Sequence, residues 1–75
     1  MFKMKITVER GIYRKNRTGI MDLIKDDRYD SAIDVDDNGI VLLWFGINRS
    51  DIIEIQNTFL RDTGICNFRV DVKLM

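Results

Sequence analysis

Residues 37–47 decide the fold, and they read Asp37-Asn38-Gly39-Ile40-Val41-Leu42-Leu43-Trp44-Phe45-Gly46-Ile47. The Asn-Gly pair tolerates the positive φ angles that tight hairpin turns require. The positions that follow are apolar on both sides of an extended chain, which is typical of a central strand. Gly46 indicates a bulge near the end of that strand. The stretch therefore predicts a hairpin whose second strand lies inside a sheet.

Three further strands are predicted on either side of this stretch. Residues 31–36 supply the first strand of the hairpin, with Ile33 and Val35 on one side and aspartates on the other. Residues 2–9 and 66–74 alternate between apolar and polar side chains. This period-two pattern is that of a strand with one buried face.

Two helices are predicted, one before and one after the hairpin. Thr18 is a candidate N-cap for the first, a short helix. Its apolar stripe comprises Ile20, Met21, Leu23 and Ile24. Asn48 or Ser50 is the candidate N-cap of the second helix, and Gly64 is its C′ residue. The side chains expected to face inward from it are Ile52, Ile53, Ile55, Phe59 and Leu60.

The predicted order of elements is β-α-β-β-α-β, without a linker, a repeat or a proline. The length of 75 residues predicts a single α+β domain that spans residues 1–75. Right-handed crossovers in both β-α-β halves favour a four-stranded antiparallel sheet of order 4-1-3-2. Both helices then lie on one face. The predicted fold is a two-layer sandwich of the ferredoxin-like arrangement.

The other face of such a sheet has no helix over it. The third strand places one of two apolar sets there, either Ile40, Leu42 and Trp44 or Val41, Leu43 and Phe45. A two-residue turn at Asn38-Gly39 turns the first set inward, and a loop one residue longer turns it outward. Either set would leave an apolar patch of the kind that marks a contact surface. The candidate protein-binding side chains are Ile40, Leu42 and Trp44.

The charge of the chain is unevenly distributed, although twelve basic and twelve acidic residues give a net charge of zero. Residues 1–20 contain six basic side chains and one acidic side chain, a net charge of +5. Residues 21–40 contain two basic side chains and seven aspartates, a net charge of −5. The zero net charge thus conceals a strong charge asymmetry along the chain, and the fold decides whether the two blocks are separated in space.

Within the basic block, residues 10–18 are expected to form a loop. Five of its side chains are candidates for nucleic-acid binding: Arg10, Tyr13, Arg14, Lys15 and Arg17. The cations would contact backbone phosphates, and Tyr13 would stack on a base. The alternative is a solvated loop whose cations face the aspartates of residues 22–37.

Within the acidic block, Asp34, Asp36 and Asp37 are further candidate protein-binding residues, because closely spaced carboxylates can imitate a phosphate before a basic groove. The alternative is that they keep the hairpin soluble and discourage strand addition. Residues 34–39 match the opening of a calcium-binding loop, but Phe45 stands where that loop needs a bidentate carboxylate. No metal site is predicted.

The chain has no histidine and one cysteine, Cys66. These counts exclude Ser-His-Asp and Cys-His catalysis and argue against a zinc site. The sequence predicts no enzymatic activity and no cofactor. Cys66 is expected to be buried on the apolar face of the last strand. Neither a secretory signal nor a membrane span is recognised, so we expect a cytoplasmic protein without a membrane partner.

The leading hypothesis is a small non-catalytic protein-binding module. It would pair with a larger protein, or with itself as a homodimer, through the uncovered sheet face and the charged surfaces. One version is a stoichiometric inhibitor or adaptor, encoded by a virus or mobile element, that acts on a host nucleic-acid enzyme. The first alternative is a nucleic-acid-binding protein that uses residues 10–17. The second is a regulatory domain that binds a small ligand at a dimer seam.

Overall fold

Four strands and three helices follow one another in the computed structural model, which describes residues 1–75. They are β1 (Phe2–Val8), α1 (Arg10–Lys15), α2 (Arg17–Ile24), β2 (Asp30–Asp36), β3 (Gly39–Ile47), α3 (Arg49–Thr63) and β4 (Arg69–Leu74). The strands form one antiparallel sheet in the order β2-β3-β1-β4. The α+β class and the four-stranded antiparallel sheet are confirmed. No helix combines the length and the apolar composition needed to cross a membrane.

The prediction of a loop between the first strand and the first helix is wrong, because residues 10–15 form α1. The N–H of Tyr13 donates to the carbonyl of Glu9 at 2.9 Å, which closes the first turn. Ile12 and Tyr13 pack against the core. Two apolar side chains in a single short helix are too few to show a helical period in a basic sequence.

Asn16 separates α1 from α2, and its side-chain amide donates to the carbonyl of Ile12 at 3.0 Å. Asn16 is also the residue that precedes α2, where no side chain caps the helix. Thr18 lies inside α2, so its prediction as the N-cap is wrong. The structure thus has three helices where the sequence predicted two.

The hairpin turn consists of Asp37 and Asn38, since Asp36 pairs with Gly39 across it. The predicted turn at Asn38-Gly39 is therefore wrong by one residue, and Asn38 does not adopt a positive φ angle. The Asp36 carboxylate accepts hydrogen bonds from the backbone N–H groups of Asn38 at 2.8 Å and Gly39 at 3.0 Å. A two-residue turn keeps Ile40 on the same side of the sheet as Val35, its paired residue. This register decides between the two apolar sets of β3.

Ile40, Leu42 and Trp44 therefore face the helices, and the structure buries all three. Their prediction as contact residues is corrected, because a side chain enclosed by its own helices cannot reach a partner. The core they join lies between the sheet and the helices. It comprises Met4, Ile6, Val8, Ile20, Leu23, Ile40, Leu42, Trp44, Ile47, Ile55, Phe59 and Ile65.

Gly46 forms the bulge that the sequence indicated. Its φ angle is 64°, and the register between β1 and β3 shifts beside it, where Phe2 pairs with Ile47 and Met4 with Trp44. Without the extra residue, Ile47 would face the same side as Phe45. The bulge turns Ile47 inward, where it is buried.

α3 has defined ends at both termini. Asn48 caps it by accepting the Asp51 N–H at 3.2 Å, and the Asp51 carboxylate accepts the Asn48 N–H at 3.1 Å. Gly64 ends the helix in the left-handed region, with φ 70°. Ile55 and Phe59 are buried as predicted, whereas Ile53 and Leu60 are 62% and 46% exposed. These two lie on the flank of the helix, outside the stripe that the sheet covers.

Asn48→Ala is expected to lower the free energy of unfolding by about 1 kcal/mol, because it removes one half of the capping box and leaves the Asp51 N–H without its acceptor. The measurement is the urea concentration at the midpoint of unfolding, which should fall while the dependence of the unfolding free energy on urea concentration stays unchanged. Asn57→Ala is the matched control at an exposed position inside α3, where alanine is the better helix former and no loss is expected. Equal destabilisation by both variants would contradict the role of the cap.

The last strand begins at Arg69, three residues later than the predicted start. Ile65 is buried, and the ring of Phe68 contacts that of Phe59 edge-on with centroids 4.7 Å apart. These two contacts hold the preceding segment in an irregular path. Cys66 is consequently exposed, which corrects its predicted burial.

Candidate protein-binding face

The open face is the side of the sheet that carries no helix, and strand pairing arranges its side chains in three rows. The first row is Asp34, Val41, Thr7 and Arg69. The second row is Ala32, Leu43, Lys5 and Asp71. The third row is Asp30, Phe45, Lys3 and Lys73. In each row the residues appear in the order β2, β3, β1, β4.

An apolar stripe of Val41, Leu43 and Phe45 runs along β3 through the middle of this face. Val41 is only 5% exposed, and Leu43 and Phe45 are half-buried. The ammonium group of Lys3 lies 5.5 Å from the centroid of the Phe45 ring. Neighbouring side chains therefore cover part of the stripe, and less apolar surface is free than the sequence suggested.

The acidic edge of the open face consists of Asp30, Asp34 and Asp36 on β2. None of them forms an ion pair within the chain. Of the three aspartates predicted to bind a protein, Asp34 lies in the first row of the open face. The carboxylate of Asp36 accepts the hydrogen bonds that fix the turn, and Asp37 is exposed at the turn itself. No group of three or more metal-ligating carboxylate or thiol side chains comes together.

The basic half of the open face lies on β1 and β4. A shallow depression of about 290 Å³ there is lined by Lys3, Lys5, Arg69, Asp71 and Lys73. Arg69 and Asp71 pair at 3.5 Å, and the three lysines have no carboxylate partner. Four cations against one carboxylate give this half a net charge of +3, opposite in sign to the acidic edge.

A second charged surface lies on α1 and α2. Arg10, Arg14 and Arg17 surround a depression of about 450 Å³ together with Tyr13. Lys15 does not line it and instead lines a neighbouring depression beside Arg14 and Arg17. The structure thus brings four of the five predicted nucleic-acid-binding residues together.

The cations of this second surface are not neutralised by the aspartates of residues 22–37. Arg10 donates to the backbone carbonyl of Asp36 at 3.1 Å, and none of the predicted cations forms an ion pair. Tyr13 is half-buried, and its hydroxyl lies 3.8 Å from the sulfur of Met21. Its ring therefore packs against the protein, which limits its use for stacking on a base.

Part of the acidic block is neutralised in the segment before β2. Arg28 contacts the Asp26 carboxylate at 2.7 Å and the Glu54 carboxylate at 3.2 Å. Hydrogen bonds from Arg28 hold the pKa of Asp26 below its usual value. Burial, followed by the charge of Glu54, raises the pKa of Tyr29. This cluster joins the segment to α3, and the aspartates of β2 take no part in it.

Sequence reasoning left Val41, Leu43 and Phe45 as one of two possible outward sets and did not name them as binding residues. It also did not name their basic neighbours Lys3, Lys5 and Lys73 as binding residues. The signal was present in the two-residue turn, which fixes the side of every residue on β3. Comparisons with models of known protein families and with curated proteins find no match to this chain.

Proposed function

We propose that this chain is a small non-catalytic protein-binding module that acts through its open face. The observation that carries the proposal is the division of this face into an acidic edge, an apolar stripe and a basic half, whose lysines and β2 aspartates have no ion-pair partners. The partner is a protein surface with an apolar strip between basic and acidic patches in the opposing order. Charge complementarity orients such a partner, and burial of the stripe adds affinity.

The test is a pull-down from nuclease-treated lysate with immobilised wild type, Leu43→Glu and Lys5→Glu. Both variants place a carboxylate in the second row of the open face, and Lys5→Glu does so without removing an apolar side chain. Ile53→Glu is the matched control, since Ile53 is exposed on α3. We expect wild type and the control to retain the same proteins and both open-face variants to lose them. Retention of those proteins by folded open-face variants would refute the proposal.

The sheet connectivity also supports a ferredoxin-like arrangement as the finer description of the fold. Counted from the β4 edge, the order β2-β3-β1-β4 reads 4-1-3-2. The first crossover then contains α1 in addition to α2.

The narrower hypotheses of an inhibitor or adaptor directed at a host nucleic-acid enzyme, and of a small-ligand regulatory domain, stay predictions from size, charge and fold.

Nucleic-acid binding through α1 and α2 is the second candidate function. It is favoured by the absence of ion pairs at Arg10, Arg14 and Arg17, which line one depression. Unpaired guanidinium groups on one surface suit backbone phosphates, which they can contact without reading sequence. In this function Tyr13 would anchor α1 to the core, and the arginine side chains would contact the phosphates.

If this second function holds, the affinity for labelled oligonucleotides should fall with salt at a logarithmic slope of about −3, as expected for about three or four phosphate contacts. Arg14→Ala combined with Arg17→Ala should reduce the slope by about 2. Lys25→Ala combined with Arg49→Ala is the charge-matched control, because neither side chain lines the depressions of this surface. Fluorescence anisotropy with single- and double-stranded DNA and RNA is the measurement. No binding at the lowest salt concentration would exclude the function.

A further inference from the structure

The open face is complementary to itself under one symmetry operation. A two-fold axis that lies in the plane of this face, parallel to the strands, reverses the order of the strands and leaves each row in register. It places β2 of one copy over β4 of the other and β3 over β1, as follows from the order β2-β3-β1-β4. Because the operation is two-fold, every contact between the copies occurs twice.

In this arrangement opposite charges meet in two of the three rows. Asp34 faces Arg69 of the second copy in the first row, and Asp30 faces Lys73 of the second copy in the third. Leu43 lies over Lys5 of the second copy in the middle row. The aliphatic stem of a lysine can cover an apolar side chain while its ammonium group stays in water.

The other in-plane axis gives the opposite result. A two-fold axis perpendicular to the strands places β2 over β2 and brings the aspartates of the acidic edge against one another. Like charges that face each other across an interface are repulsive. The charge pattern therefore selects one of the two aligned packings, in which sheets lie with their strands within about 30° of each other.

We propose that the open face binds a second copy of this chain about the two-fold axis parallel to the strands. This inference rests on the proposed protein-binding function and names its partner. Four strands about 4.8 Å apart and about six residues long offer a face of about 20 Å by 20 Å. Such an interface belongs to the smallest class, so we expect a dissociation constant in the micromolar range.

Sedimentation equilibrium of the full chain under reducing conditions measures the dimer. The wild type should change from monomer to dimer as its concentration rises from about 5 µM to about 500 µM. Raising the salt from about 50 mM to about 500 mM should weaken the dimer, because it screens exposed charges. A wild type that stays monomeric over this whole range at low salt overturns the proposal.

Charge reversal tests the symmetry itself. Asp34→Arg and Arg69→Asp each place like charges in the first row and should weaken self-association about tenfold or more. An equimolar mixture of the two variants should form a heterodimer as stable as the wild-type dimer, because both first-row contacts again join opposite charges. Asp37→Arg is the control with the same change of charge at the turn, outside the rows. It should dimerise like the wild type.

Equal effects of Asp34→Arg and Asp37→Arg, or a mixture that stays monomeric, would overturn the two-fold arrangement. Asp30→Lys and Lys73→Asp repeat the experiment in the third row if circular dichroism shows that a first-row variant is unfolded. A monomeric wild type whose captured proteins are lost on Leu43→Glu would leave the protein-binding function standing with a different partner. A dimer that is insensitive to every open-face variant, together with capture that ignores Leu43→Glu, would remove both proposals.

Discussion

Replacing Trp44 with alanine should leave a large fraction of the chain unfolded at 25 °C. Trp44 is 0% exposed, and its side chain is the largest of those that are fully buried. Truncating a buried tryptophan to alanine costs about 3–5 kcal/mol. A domain of this size has a total stability of about 4–11 kcal/mol at typical values per residue, and small domains fall towards the lower end. The expected loss is therefore comparable to the total free energy of unfolding of the domain.

Trp44→Phe is the informative control for this substitution. The indole Nε1–H of Trp44 is buried without an acceptor. Phenylalanine keeps most of the apolar contact and removes this unsatisfied donor, so the lost packing is partly offset and a cost of about 1 kcal/mol is expected. The measurement is urea unfolding followed by circular dichroism. If the alanine variant loses no more stability than the phenylalanine variant, the core does not depend on this side chain as described.

Gly39→Ala should produce the second large loss of stability. Gly39 has a φ angle of 148°, and a Cβ atom there would lie 2.3 Å from the carbonyl oxygen of Val8. The obstacle is backbone of β1, which cannot withdraw without disturbing the pairing of Val8 with Ile40. The backbone strain alone costs about 1–3 kcal/mol, and the steric conflict adds to it.

Gly11→Ala provides the matched control for this second prediction. Gly11 lies in α1, and a Cβ atom there would meet nothing within 4 Å. Alanine is the better helix former by about 0.5–1 kcal/mol, so this variant should be slightly more stable than the wild type. Thermal unfolding of both variants measures the contrast. Similar melting temperatures for the two would show that the hairpin can move away from β1.

Most of the sheet was predictable because its signals are local. The alternation in residues 2–9 leads to β1. The Asn-Gly pair and the apolar run after it predict the β2–β3 hairpin, although the turn lies one residue earlier than that pair. Asn48 and Gly64 mark the ends of α3 through capping, which needs only neighbouring residues. The missed elements depend on tertiary contacts. α1 is held by two side chains on the core, and the start of β4 is delayed because Phe68 packs on Phe59.

The candidate site was less predictable than the fold, since it depends on which strands are neighbours. The apolar residues of β3 were recognised, but the set that faces outward follows from the turn register, and Ile40, Leu42 and Trp44 belong to the core. The basic half combines Lys3 and Lys5 with Lys73, which the sequence places near opposite ends of the chain. Only the pairing of β1 with β4 brings these lysines together.

The central position of β1 also has a consequence for folding kinetics. Among the four strands β1 comes first in the sequence, yet its two neighbours are β3 and β4, and Phe2 pairs with both Ile47 and Leu74. Pairings between segments so distant in sequence close slowly, because the intervening chain must first lose its freedom. The β2–β3 hairpin is the only local pair of strands. We therefore expect the hairpin to form early, and β1 to dock only after β3 has been synthesised.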